Sequence, residues 1–212
     1  MVALKKISQY HLSGFKLPVQ FIYSIPTLFI IAILAWLFSE IIGSRIIPAW
    51  RARGSVQAGA PKRGSTPLIF MSLSIAIFLV FALRSHGLVN LPVWSWYLGI
   101  LLVFAGIAVR QWAIATLGRF FNVRVRLLKD HHVVTSGPYR LVRHPSYTGL
   151  LIIIFGISLT SASWEGVIVI MAAIGISLWY RIRVEERFLT KELGRDYAEY
   201  RKHTKYLIPF LL

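Results

Sequence analysis

Cysteine is absent from the 212 residues, so disulfides, thiolate catalysis, cysteine-ligated zinc and prenylation of the chain itself are excluded. Acids are scarce: 8 Asp and Glu stand against 24 Lys and Arg, for a formal net charge of +16. Such an excess of cations suits nucleic acid, an anionic ligand or an anionic membrane surface. Here the cations flank apolar blocks and form no soluble recognition element. Membrane lipids are therefore an expected partner and nucleic acid is not. No strand followed by a glycine-rich turn and a helix is visible, which argues against a Rossmann-type cofactor site. No cleavable signal peptide is expected either, because the first apolar block is too long for a signal-peptide core. No metal site is expected.

Apolar residues are abundant, at 56% of the chain, and they gather in long runs. A helix needs roughly 20 such residues to cross a bilayer core. Five runs approach or reach that length, from about Phe21 to Ile42, Leu68 to Leu83, Val93 to Leu117, Tyr147 to Thr160, and Trp164 to Ile182. The third is interrupted by Arg110 and Gln111. The expected fold is all-α, a polytopic membrane helix bundle of about five transmembrane helices with a C-terminal cytoplasmic helix. The short link around Ser161–Ser163 predicts an antiparallel hairpin of the last two crossings. Gly149 and Gly156 on one side, with Ala172, Gly175 and Ser177 on the other, are expected to let those two backbones approach closely.

Charge sets the expected orientation. The connection 43–67 holds Arg45, Arg51, Arg53, Lys62 and Arg63 with no acid. The connection 118–146 holds six cations against Asp130 alone, and the tail is cationic too. Short cationic loops stay cytoplasmic. Five crossings then put the N-terminus outside and the C-terminus inside. Lys5, Lys6 and Lys16 oppose this weakly. The stretch from Arg53 to Thr66, rich in Gly, Ser, Ala and Pro, reads as a mobile cytoplasmic loop.

Two clusters carry the candidate chemistry. The first is HHVVTSGPYRLVRHPSYTG, from His131 to Gly149. Gly137-Pro138 signals a turn, and His144-Pro145 ends one segment and starts a helix. His144, Tyr139 and Tyr147 are thereby crowded at a helix start, where backbone N–H groups favour an anionic ligand group. Taken singly, His144 reads equally as a cap, and the tyrosines as an interfacial belt. The second cluster is RIRVEERFLTKELGRDYAEY, from Arg181 to Tyr200. Arg181 and Glu185 share a helical face where the crossing meets the interface, a depth at which charge is costly and usually functional. Arg183, Arg187, Lys191, Arg195 and Asp196 read as an ordinary charged helix face.

Val134–Tyr139, then Arg143–Gly149, then Arg181 with Glu185-Glu186, then Gly194 with Tyr197 and Tyr200, together resemble the isoprenylcysteine carboxyl methyltransferase family, which is related to the phospholipid N-methyltransferases. The resemblance covers about the last 95 residues. It implies a single domain over residues 1–212, with three crossings in 1–117 and a cofactor-binding, catalytic half in 118–212. It implies S-adenosylmethionine as cofactor, held by Arg126, His131, His132, Val133, Val134, Tyr139, His144, Pro145, Ser146, Tyr147 and Glu185. The family often carries Gln before the histidine cluster, where Arg124 and Arg126 stand here. Arg181 is implied to face the transfer centre and the substrate, with Glu185 the acidic cofactor contact. The implied substrate is a lipidic or prenylated carboxylate entering from the bilayer on the cytoplasmic side. Other readings fit parts of the pattern: methylation of a phospholipid amine, small thiol or other amphiphile, an NADPH-dependent sterol-type reductase, or a non-catalytic relative that kept the fold.

Overall fold

The computed structural model describes residues 19–46, 57–58, 74–75, 78, 91–121, 127–128, 132–160 and 163–207, with side chains in the first stretch described for 27–43 and 46. Helix α1 (Val19–Ser39) runs into a π-helical segment, Glu40–Ile46. Helix α2 (Trp94–Leu117) is followed by a 3-10 turn, Gly118–Phe120. A second 3-10 turn, Gly137–Arg140, leads into α3 (Pro145–Leu159), and α4 spans Trp164–His203. The described fold is all helical apart from one antiparallel ladder of two-residue strands, β1 (Gln57–Ala58) and β2 (Leu127–Leu128). That ladder ties part of the 53–66 stretch, expected to be a mobile loop, to the connection ahead of the histidine motif.

Among the described residues two helices, α2 and α4, are long and apolar enough to cross a membrane. The apolar helices Thr27–Gly43 and Pro145–Leu159 are shorter. The expected run 68–83 falls almost wholly outside the described residues. All four helices contribute to one core, with Ala32, Trp36, Val103, Ile153, Ile154, Ile170, Ile174 and Leu178 buried in it. Large apolar side chains such as Ile31, Phe38, Leu101, Ile168 and Ile176 point outward. That inversion suits a bilayer, whose tails solvate apolar surface, so helix association rests on close packing rather than on burial from water.

The close packing is between α2 and α3. A Cβ on Gly99 would lie 2.5 Å from Gly156 O, and one on Gly106 would lie 2.7 Å from Gly149 O. The two glycine pairs therefore let the antiparallel backbones touch. This corrects the expectation that Gly149 and Gly156 face the last crossing, since nothing lies within 4 Å of a Cβ built on Gly175. Chain adjacency joins α3 to α4, but matched small residues decide which partner packs tightly.

The apolar part of α4 ends near Ile182, and the helix continues well past it. Gly194 interrupts it at φ 54°, ψ −122°, a conformation that disfavours any Cβ. Over the 11 residues from Glu186 to Tyr197 a straight helix would advance about 16 Å, too far for direct contact. The break turns the chain back, and Tyr197 and Tyr200 return to the start of α3.

Candidate active site

The site is built where α3 begins. Pro145 occupies its first turn, where a missing N–H costs nothing. The backbone ahead of it is held by the chain after α4. Arg143 N donates to Lys205 O at 2.8 Å, His144 N donates to Tyr206 O at 3.1 Å, and Lys205 N donates to Leu141 O at 3.2 Å. Val142 and Lys205 form a parallel bridge. The N–H groups of Arg143 and His144 are thus taken by carbonyls of the same chain. Tyr206 stacks on His144 with 16° between ring planes, and the Arg143 guanidinium lies 4.1 Å from the Tyr206 ring centre.

Glu186 holds this arrangement together. Its Oε1 pairs with His144 Nε2 at 2.8 Å and accepts from Tyr197 OH at 2.8 Å and from Arg143 Nε at 3.1 Å. Its Oε2 lies 3.2 Å from Arg201 Nε. Arg143 also donates through Nη1 to the carbonyls of Arg201 and Thr204. Burial alone would raise the Glu186 carboxyl, but its bonds to His144 and Tyr197 and the Arg143 charge outweigh that and hold it at about 2. Burial and the same carboxylate push the Tyr197 phenol well above the usual tyrosine range. Tyr200 OH donates to Tyr139 O at 2.8 Å, tying the Gly137–Arg140 turn to the returning helix.

A second cluster lies at the third residue of α3. Tyr147 OH donates to Glu185 Oε2 at 2.6 Å and accepts from Arg181 Nε at 2.9 Å. Arg181 and Glu185 are 3.7 Å apart, so the tyrosine hydroxyl bridges an i,i+4 ion pair. Arg181 is 2% exposed, whereas the Glu185 side chain keeps 25% of its surface. Tyr139 is buried close by, its phenol pushed upward by burial and by the Glu185 charge. A separate cleft of about 510 Å³ is lined by Val133, Thr135, Arg140, Asp196, Glu199, Tyr200, His203 and Thr204.

Residues 98–191 match the model of the isoprenylcysteine carboxyl methyltransferase family. A probable protein-S-isoprenylcysteine O-methyltransferase of Oryza sativa subsp. indica is 30% identical over 185 residues, covering 84% of this chain and 96% of the rice protein. The chain belongs to the isoprenylcysteine carboxyl methyltransferase family. The protein-S-isoprenylcysteine O-methyltransferase of Saccharomyces cerevisiae is 33% identical over 116 residues, covering 54% of this chain and 48% of the yeast protein. The solved structure of a eukaryotic intramembrane Ras methyltransferase, an isoprenylcysteine carboxyl methyltransferase, superposes with a TM-score of 0.57 at 26% identity. That match covers 68% of this chain and 53% of the solved one, so the chain spans about half its length. The protein is accordingly an integral-membrane methyltransferase.

Among the residues that the family resemblance singled out, Tyr139, His144, Pro145, Ser146, Tyr147, Arg181 and Glu185 converge at the start of α3 and the adjoining turn of α4. They do so in two layers. Tyr147, Arg181 and Glu185 contact one another, while His144 is turned to Glu186 and is buried. Val133 and Val134 are half-buried, Val133 lining the cleft, and His132 is exposed, edge-on to Phe120 at 4.9 Å. Arg126 and His131, with Arg124, lie outside the described residues. Arg183, Arg187, Lys191, Arg195 and Asp196 are exposed, with Arg183 over the Trp179 ring at 4.3 Å. Sequence reasoning missed Glu186, Arg143 and Tyr197 as a unit. The signal available was the doubled acid: adjacent helical residues point about 100° apart, so two neighbouring carboxylates cannot serve one contact.

Proposed function

We propose that this protein transfers a methyl group from S-adenosylmethionine to the carboxylate of an isoprenylated cysteine. The observation that carries the reading is the Tyr147-bridged Arg181–Glu185 pair, set where the apolar part of α4 gives way to charge. A buried arginine at such a depth is expensive and marks function. The residues suit the cofactor in charge, since Glu185 keeps a partly exposed carboxylate for a cationic group. When bound, S-adenosylmethionine supplies a methyl group already activated by positive sulfur, so the protein has to align and exclude water more than to remove a proton.

In this reading Arg181 orients the acceptor carboxylate, which is ionised near neutral pH, and Tyr147 fixes the Arg181 side chain through Nε. Glu185 balances the cationic donor. His144 anchors the start of α3 through Glu186 rather than touching the cofactor itself. The prenyl chain enters from the bilayer, past the outward apolar surface of the helices. Residues 1–212 work as one domain, with 118–212 carrying cofactor and catalysis. The site and the C-terminus are cytoplasmic and the N-terminus is outside. The cationic connections support that orientation, and the β1–β2 ladder supports a common side for both of them.

The test is methyl transfer by the full chain in liposomes, with a farnesylated cysteine and a phosphatidylethanolamine offered separately. Farnesylcysteine is expected to be methylated. Arg181→Lys, which keeps charge but loses the planar fork, is expected to lower kcat roughly tenfold or more with little change in cofactor affinity. Methylation of the lipid amine alone would overturn the acceptor assignment.

A further inference from the structure

Before Asp130 the sequence contains a single acid, Glu40, and it stands just past the C-terminal end of α1. Its carboxylate pairs with one edge of the guanidinium: Arg110 Nε donates to Oε2 at 2.7 Å and Nη2 donates to Oε1 at 2.6 Å, across 70 residues of chain. The remaining Arg110 nitrogen, Nη1, donates to Ser146 O at 2.9 Å. Ser146 immediately precedes Tyr147, whose hydroxyl bridges Arg181 and Glu185.

We infer that Glu40 and Arg110 are positioning residues that hold the Ser146–Tyr147 backbone, and with it the Tyr147 bridge, from the side of α1 and α2. The inference rests on the reading of Tyr147, Arg181 and Glu185 as the transfer site. The backbone that carries Tyr147 is gripped from two directions, at His144 by Glu186 and at Ser146 by Arg110. Arg110 has little freedom to do anything else. Its backbone N and Cβ come within 2.7 Å of where a Cβ on Gly149 would sit, so α2 is pressed against α3 at this level. A second contact fixes the Glu40 end: Gln111 Nε2 donates to Ser39 O at 3.0 Å, and the Gln111 side chain fills the space beside Gly43. Glu40 opens a π-helical segment, a distortion that recurs at functional sites.

Two apolar side chains could hold α1 against α2 at least as well as a desolvated ion pair does. They could not donate to the Ser146 carbonyl. An arginine is needed for that, and an arginine at this depth needs a carboxylate beside it. The pair thus gives the N-terminal part of the chain a defined task in the reaction.

The experiment is a double-variant kinetic cycle in liposomes with S-adenosylmethionine and a farnesylated cysteine. Tyr147→Phe, Glu40→Gln and the double variant are compared for kcat, KM and binding of S-adenosylhomocysteine. If Glu40 acts through Tyr147, each single change lowers kcat roughly tenfold, cofactor binding moves by less than about twofold, and the double variant is within about twofold of Tyr147→Phe. Losses that multiply in the double variant, or a Glu40→Gln enzyme with the wild-type kcat, overturn the inference while leaving the site reading in place. A Tyr147→Phe enzyme with the wild-type kcat removes both. Glu40→Asp, which keeps charge and shortens its reach, provides the same cycle if Glu40→Gln does not insert. Failure of both variants to fold identifies a purely structural pair and overturns the inference as well.

Discussion

Replacing Glu186 by Gln removes one negative charge and almost no volume. In the native protein that charge is shared by His144, Tyr197, Arg143 and Arg201. Its carboxyl lies at about 2 against an ordinary 4.5, and at about 1.4 kcal/mol per unit the difference corresponds to roughly 3 kcal/mol of stability. An independent route gives the same scale, since removing one partner from a buried ion pair typically costs about 3–5 kcal/mol. The sign follows from linkage. A carboxyl depressed in the folded state contributes fully above its unfolded value, near 4.5, and its contribution is lost as pH falls toward about 2. The wild-type protein in detergent micelles is therefore expected to lose roughly 3 kcal/mol of unfolding free energy over that window. Glu186→Gln should start lower by a similar amount near neutral pH and show a much flatter profile through the same window. Denaturant titrations at pH 7, 5, 4, 3 and 2 would measure both curves. Parallel curves for the two proteins would refute the assignment of Glu186 as the charged hub.

Glu185→Gln leaves the Tyr147 hydroxyl an acceptor but removes the charge that balances a cationic donor. Calorimetry should show S-adenosylmethionine weakened more than uncharged S-adenosylhomocysteine, and equal weakening of the two would exclude that role. Gly156→Leu places a side chain against Gly99 O, 2.5 Å from its Cβ, so α2 and α3 must separate. A loss of about 1–3 kcal/mol or more is expected, measured as thermal stability in micelles, whereas Gly175→Leu, with nothing within 4 Å, should be nearly neutral. Equal effects of the two leucines would contradict the α2–α3 contact.

The local chemistry of the chain was enough to determine its class and to point to a candidate site. Apolar runs long enough for a bilayer can only be helices there, because no water is present to satisfy an open backbone. The described helices α2 and α3 begin and end within a few residues of the runs that predicted them. The motif residues around His144 and Arg181 were visible for the same reason: turn signals, a proline and charges at a span's edge are properties of neighbouring residues. What lies across the bundle was decided only by tertiary structure. Which face of α3 meets which helix depended on Gly149 and Gly156 finding Gly106 and Gly99, not on the short link to α4. Which of two adjacent glutamates anchors and which stays partly open depended on Gly194 folding Tyr197 back onto one of them. Arg110 and Glu40 interrupt two apolar runs and look like liabilities in each. They become a pair only when helices 70 residues apart are brought side by side, because an intramembrane charge is tolerable solely where its opposite is.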